Sequence, residues 1–312
     1  MSVQRLAGID IGTLTCRLLI ADLPTAGPLK EVRSERRILR LGEGVDRSKR
    51  LTREAMDRVV ACIKEWWEVI SHSQVHACTA VATSAVRDAQ NRQEFLDRIK
   101  AETGIVVEVL TGAQEAERTM LGIRSGLPQA ITNVLALDIG GGSTEFILAR
   151  QGERPMVRSL DIGVVRLSER LLHHDPPTSE EIRQARDWIR KETAEALAGK
   201  PEPIECTFVG TAGTITSLAA MAQQLPAYEP ARIHNYRLSV ATVADLERQL
   251  LSRSKAARVG MPGLEKNRED VIASGAIILR TVMETLGKRE CLVSDFGLRE
   301  GVLIHLSAGI SG

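Results

Sequence analysis

Four short turns rich in glycine and hydroxyl residues stand where apolar strands should end: Asp10–Thr15, Asp138–Thr144, Gly210–Thr214 and, more weakly, Asp295–Gly301. Glycine lets the backbone approach a ligand closely, and consecutive N–H groups in such turns form concavities that hold anions. The Ser and Thr hydroxyls add further donors. Asp138 and Glu145 flank the second turn, and two carboxylates beside a phosphate site suit Mg²⁺ held partly through water. The combined signal is phosphate with a hard divalent cation. Any one of these turns alone is an ordinary loop, whereas four in one chain, two of them related by sequence, point to a ligand.

Hydrolysing a phosphoanhydride requires positioned cationic groups, a metal ion and a group that orients the attacking water. Arg87, on a turn after a buried strand, can clamp phosphate oxygens with two hydrogen bonds, and Arg166 and Arg299 sit similarly beyond apolar strands. Each is weighed against the plainer role of a surface ion-pair partner. Glu115 and Glu117 lie near the start of a helix after Thr111-Gly112. Either can be a general base, or simply a carboxylate favoured by the helix dipole, and the spacing does not choose. His174-Asp175 precedes Pro176-Pro177, which places that pair in a loop and leaves it without the helical His set of an HD hydrolase. The chain contains neither a GxSxG elbow nor a GxxxxGK[ST] loop. For the basic stretch Arg33, Arg36, Arg37, Arg40, Arg47, Lys49 and Arg50, a solvated edge is favoured over a track for a long polyanion.

The elements that must position these residues follow from an internal repeat. Residues 8–22, GIDIGTLTCRLLIAD, align without a gap on residues 136–150, ALDIGGGSTEFILAR, with Asp10 on Asp138, Gly12 on Gly140 and Thr15 on Ser143. Each copy reads as an apolar strand, a tight polar turn and a second apolar strand, the signature of a β-hairpin. Two copies half a chain apart imply two similar α/β domains. Between them, Thr52 is expected to cap a helix to about Ile70, with Ala55, Met56, Val59, Val60, Ile63, Trp66 and Trp67 on one apolar face. A strand near Val75–Thr79, a turn over Thr83–Asp88, a helix capped by Asn91 with Glu94, and a strand Ile105–Leu110 follow. The second half reads as strands near 134–139, 145–149 and 157–162, a helix near 180–198 carrying Ile182, Ala185, Trp188 and Ile189, and a strand ending at Val209. Helices near 240–251 and 270–286 and a strand over 291–294 complete it, with Pro201-Glu202-Pro203 and Leu225–Arg237 as connectors.

Composition narrows the function classes. In 312 residues, 43% are apolar and 26% charged, so general disorder is excluded and about two domains are expected. A formal charge of +1 excludes attachment to nucleic acid or membrane by bulk charge, and 3% aromatics leave little for stacking bases. The five cysteines (Cys16, Cys62, Cys78, Cys206, Cys291) form no CxxC or Cys/His cluster and read as small buried hydrophobes. With no signal-peptide pattern at the N-terminus and no apolar run of about 18 residues, the expectation is a cytoplasmic protein.

Taken in order, AGIDIGT (7–13), RLGEGVD (40–46), ATSAVRDAQN (82–91), EVLTGAQEAER (108–118), LDIGGGSTE (137–145), SLDIGVVRL (159–167), GTAGTITSLAAM (210–221) and SDFGLREGVL (294–303) resemble the exopolyphosphatase/guanosine pentaphosphate phosphatase (Ppx/GppA) family of the actin, sugar-kinase and chaperone superfamily. The resemblance implies two ribonuclease-H-like α/β domains, 1–124 and 125–312, with a C-terminal helix near 298–312 packing back on the first and an active site in the cleft between them. It makes Glu115 the base, at the second Glu of the family's SGxEEA motif, with Thr111 in place of Ser and Gln114 in place of the first Glu. It gives Mg²⁺ to Asp138 and Glu145, with Mn²⁺ as a substitute and K⁺ as an activator. Phosphate falls to the turns at Gly12-Thr13 and Gly140, Gly141, Gly142 and Ser143, and to Arg87, with Asp10, Thr211, Gly213, Arg166 and Arg299 counted to the same site. Leu14 departs from the usual Asn, which puts a polar contact from that position in doubt. The HD-like C-terminal domain of longer members is expected to be missing.

The implied activity is removal of terminal orthophosphate from inorganic polyphosphate; the alternative substrate is guanosine pentaphosphate. A non-hydrolytic polyphosphate or nucleotide sensor and a kinase of the same superfamily are the rival classes. No nucleic-acid or membrane partner is expected, and a homodimer is.

Overall fold

The computed structural model describes residues 3–24, 27–198 and 206–311. The expected connector Pro201-Glu202-Pro203 lies outside them. The chain divides into two units, Met1–Gly126 together with Phe296–Gly312, and Leu127–Asp295.

In the first unit β1 (Val3–Ile11), β2 (Thr15–Pro24), β3 (Lys30–Ile38), β4 (Ala77–Ala82) and β5 (Val107–Val109) form one sheet in the order β3-β2-β1-β4-β5. β2 runs antiparallel to both its neighbours, while β1, β4 and β5 are parallel. Both faces are covered, which is why β1 and β2 read as nearly unbroken apolar runs rather than alternating ones. Ala7, Ile9, Leu18 and Ile20 join the core with Met56, Val59, Ile63 and Trp66 of the helix Arg53–His72 and Phe95 and Ile99 of Arg92–Thr103. Leu6, Leu19 and Ala21 turn to the other face, against Leu303 of the helix Leu298–Ser311. That helix crosses the helix Gly112–Gly126 at backbone distance: a Cβ on Gly301 would overlap the Arg118 carbonyl, and one on Gly122 the Gly297 carbonyl.

The second unit repeats the plan. β6 (Val134–Ile139), β7 (Thr144–Ala149), β8 (Met156–Leu160), β9 (Thr207–Thr211), β10 (Arg237–Ser239) and β11 (Glu290–Val293) lie in the order β10-β11-β9-β6-β7-β8. Here β8-β7-β6-β9-β11 matches β3-β2-β1-β4-β5, with β10 added antiparallel to β11. The fold is thus two ribonuclease-H-like α/β units built on mixed sheets. In each, the turns that could bind ligands follow the carboxyl ends of parallel strands.

Several local expectations change. Trp67 is 37% exposed, so the apolar face of its helix ends at Trp66 and Ile70. Thr83–Asp88 is not an open turn but carries a short helix, Ser84–Asp88. Asn91 does not cap the next helix. Its side chain instead accepts from the Leu51 amide and donates to the Leu51 carbonyl at 2.9 and 3.0 Å, satisfying a loop 40 residues away. Ile182 is only half-buried; Glu181 turns inward and closes a capping box with Thr178. The expected connector Leu225–Arg237 contains a short helix, Pro230–Ile233, and the first residue of β10. β3 and β10 are strands that the sequence pattern does not mark. β3 is an edge strand of mostly charged residues, without the apolar alternation that reveals a strand.

Part of the basic stretch is paired with carboxylates. Arg33 pairs with Glu35 at 2.6 Å, Arg37 with Glu65 at 2.5 Å, and Lys49 with Asp46 at 3.7 Å. Of the cysteines, Cys16, Cys62, Cys206 and Cys291 are buried and Cys78 half-buried, all as free thiols. Burial pushes Cys62 and Cys78 up to about 11 and raises Cys16 and Cys291 as well, so none of these four has thiolate character near neutral pH. Among the described residues no helix is long and apolar enough to cross a membrane.

Candidate active site

In the first unit three strand ends bring the chemistry-bearing residues together. The β1–β2 hairpin is closed by the Gly12 amide donating to the Thr15 carbonyl at 3.0 Å. A Cβ on Gly12 would stand 2.8 Å from that same oxygen, so the turn needs glycine there. The Thr13 carbonyl accepts from the Gly42 amide, and the Leu14 carbonyl from the Leu39 and Arg40 amides. Leu14 is 4% exposed and packs as an apolar anchor. It therefore offers the turn no side-chain polar contact.

Beyond β4, the Ser84–Asp88 helix carries Arg87, whose Nη1 donates to the Leu110 carbonyl at 2.8 Å and to Glu115 Oε2 at 3.2 Å. Glu115 is 7% exposed, whereas Glu117 is exposed. Burial thus separates the two glutamates that spacing left alike. Gln114 points away from this pair. Its Oε1 accepts from the Thr111 amide and hydroxyl, both at 2.9 Å, while the Thr111 hydroxyl accepts from the Gln114 amide at 3.2 Å. This is a capping box, for which Gln serves as well as Glu. The departure from the family pattern thus falls on a capping position.

Arg299 is placed elsewhere. Its guanidinium engages Glu300, the Ser34 hydroxyl at 2.5 Å and Glu31 at 3.8 Å. Ser34 and Glu31 belong to β3, the sheet edge opposite β5. These contacts tie the last helix to the sheet. The weak fourth turn resolves likewise into the start of that helix, where Glu300 accepts from the Gly297 amide at 2.8 Å.

The second unit assembles its own set. The Gly140 amide donates to the Ser143 carbonyl at 3.0 Å, the same closing bond as in the first hairpin. The carbonyls of Gly140 and Gly141 accept from Val164 and Val165, the first amides of the helix Val164–Leu171. Arg166, 6% exposed, donates through Nε to the Gly142 carbonyl at 2.8 Å. These bonds engage all three glycine carbonyls of the turn. Asp138 lies directly opposite Glu145 across β6 and β7, and beside Thr211 on β9. Both carboxylates are buried, and Glu145 Oε1 accepts from the Ser159 hydroxyl at 2.7 Å. Like charges facing each other across strands are unfavourable unless a cation or proton joins them.

Sequence reasoning missed Arg268. It is 3% exposed, and a Cβ on Gly213 would collide with its guanidinium, so it lies against the first turn of the helix Ala212–Ala222. Ala212 beside it holds a left-handed φ of 70°, a strain that persists where surrounding structure imposes it. No local motif marks Arg268; only the fold carries it to the Gly210–Thr214 turn.

Comparisons with known proteins agree on the class. The Ppx/GppA phosphatase family matches residues 20–308. The chain is 37% identical to "Exopolyphosphatase 2" of Mycobacterium tuberculosis, covering 98% of this chain and 100% of that protein. It is 31% identical to "Exopolyphosphatase 1" of Mycobacterium bovis, covering 97% and 88%. Among solved structures, the Aquifex aeolicus member of the Ppx/GppA family superposes over 100% of both chains at 34% identity with a TM-score of 0.84. An exopolyphosphatase from Cytophaga hutchinsonii covers 98% of both at 30% identity and 0.88.

The chain belongs to the Ppx/GppA phosphatase family. In reaction class it is a phosphoanhydride hydrolase.

Proposed function

We propose that this protein is an exopolyphosphatase that removes terminal orthophosphate from inorganic polyphosphate, with Glu115 as the general base. The observation that carries the reading is the buried Glu115 carboxylate held 3.2 Å from Arg87 at the ends of β4 and β5. A carboxylate so fixed can accept a proton from water as it attacks phosphorus, and the neighbouring guanidinium can take up charge on the phosphoryl oxygens. In the same unit, the Thr13 hydroxyl donates to another oxygen of the polyphosphate. Arg166 keeps the second turn in shape through the Gly142 carbonyl.

Asp138 and Glu145 fit a hard divalent cation. They are two buried, facing carboxylates, and among the described residues no cluster of three or more His, Cys, Asp or Glu is arranged to hold a metal. So few protein ligands suit Mg²⁺, which keeps several waters and substrate oxygens, better than zinc; Mn²⁺ would fit the same donors. When bound, the ion would supply positive charge to the phosphoryl oxygens.

The test is phosphate release from long polyphosphate and from guanosine pentaphosphate, measured side by side with Mg²⁺. Faster release from polyphosphate supports the reading. Preference for the nucleotide would make this a guanosine pentaphosphate phosphatase with the same chemistry, and binding of both without release would make it a sensor.

A further inference from the structure

The first hairpin differs from the second in having a side-chain hydroxyl at its tip, and that hydroxyl is not held by its own hairpin. Thr13 Oγ1 lies 2.8 Å from Ser84 Oγ, and the two residues are 6% and 2% exposed. We propose that Ser84 is a positioning residue for phosphate binding: it donates to Thr13 Oγ1 and so turns the Thr13 proton toward a phosphoryl oxygen. The proposal rests on the exopolyphosphatase reading above.

Three observations support it. Two hydroxyls carry two protons; one is consumed between them, and neither oxygen has a second partner among the hydrogen bonds of the described residues. One donor therefore remains. The Thr13 side chain is also fixed from its other side: a Cβ on Gly42 would overlap the Thr13 methyl and stand 3.0 Å from Ala85 Cβ. With the methyl so enclosed, a β-branched side chain has one favoured χ1, and the hydroxyl direction is set by packing.

The third observation is the element Ser84 stands on. Ser84 opens the short helix whose Arg87 engages Glu115. At a spacing of three, their side chains share a helix face. One rigid turn of helix thus fixes both the hydroxyl that meets phosphate and the carboxylate that meets water. Leu14 supplies no polar contact, so this pair is what the tip of the first hairpin has to offer.

The experiment is a double-mutant cycle in the full chain with Thr13→Val, Ser84→Ala and both, and Thr13→Ser as the conservative control. The readouts are kcat and KM for phosphate release from polyphosphate, and the rise in Tm that tripolyphosphate produces in a Glu115→Gln background, which needs no turnover. Losing a hydrogen bond to a charged group should raise KM about tenfold for Thr13→Val. Thr13→Ser should stay near wild type and Ser84→Ala should raise KM by a smaller factor. The double variant should match Thr13→Val, because Ser84 acts through Thr13.

A Ser84→Ala protein with lowered Tm but wild-type KM and tripolyphosphate response would overturn the proposal, since the hydroxyl would then only support the helix start. Independent, multiplying effects in the double variant would overturn it too. If Thr13→Val does not fold, Ser84→Ala against Thr13→Ser decides on the same criterion. If the wild-type protein releases no phosphate from either substrate, the functional reading fails, while the Tm cycle still judges Ser84.

Discussion

The two glycine hairpins share one backbone and differ in chemistry. Both close with the same amide-to-carbonyl bond, Gly12 to Thr15 and Gly140 to Ser143, each at 3.0 Å. In the first, the register sets Asp10 opposite Arg17; in the second, Asp138 opposite Glu145. Opposite charges across strands stabilise each other, whereas like charges call for a cation. The metal site proposed above therefore belongs to the second hairpin and not to the first. Their supports differ as well. Loop amides 39–42 hold the first, and the start of a helix with Arg166 holds the second. A duplicated scaffold keeps its geometry because the closing bond is local, and it diverges through residues the geometry does not constrain.

The largest expected effect lies outside both hairpins, at Glu115. Glu115→Gln should lower kcat by about 10²–10⁴-fold while polyphosphate still binds. Wild-type turnover in that variant would remove Glu115 from the base role and return the question to the hairpins themselves.

The metal contrast is sharper and somewhat smaller. Mg²⁺ should raise the Tm of the wild-type protein, and Glu145→Gln should abolish that rise and increase the Mg²⁺ needed for activity by about tenfold or more. Arg17→Gln, at the matching position of the first hairpin, should leave the Mg²⁺ response as it is. Equal responses in both variants would show that the metal does not distinguish the hairpins.

The turns can also be compared through their glycines. A Cβ would stand 2.8 Å from Thr15 O at Gly12 but 3.1 Å from Ser143 O at Gly140. Gly12→Ala should therefore cost about 1–3 kcal/mol and Gly140→Ala less, read from urea denaturation. The reverse order would mean that the second turn is the more rigid of the two.

The smallest effect compares the two capping boxes. Burial pulls Glu181 up, but hydrogen bonds from His174 and from the Thr178 and His173 amides outweigh it and hold the carboxyl at about 2, below its ordinary 4.5. A carboxyl depressed on folding contributes stability that is full above the ordinary value and lost as pH falls from there toward 2. Glu181→Gln should flatten the acid limb of the stability curve over that range. The cap at Thr111 uses Gln114 and carries no such dependence, and Gln114→Glu should introduce one.

The sequence alone was enough for the hairpins, the duplication, the strand-and-helix alternation and the family, because each rests on residues adjacent in the chain: apolar runs, a glycine where a turn needs one, Thr52 before an amphipathic helix. It also named Arg87 and Glu115 as residues. Only the tertiary structure decided that Glu115 and not Glu117 faces inward, that Gln114 serves the cap, that Arg299 contacts β3, and that Arg268 reaches Gly213. It alone paired Thr13 with Ser84. Those outcomes depend on side-chain direction and on partners far apart in the chain, and residue spacing carries no information on either until packing has fixed the backbone.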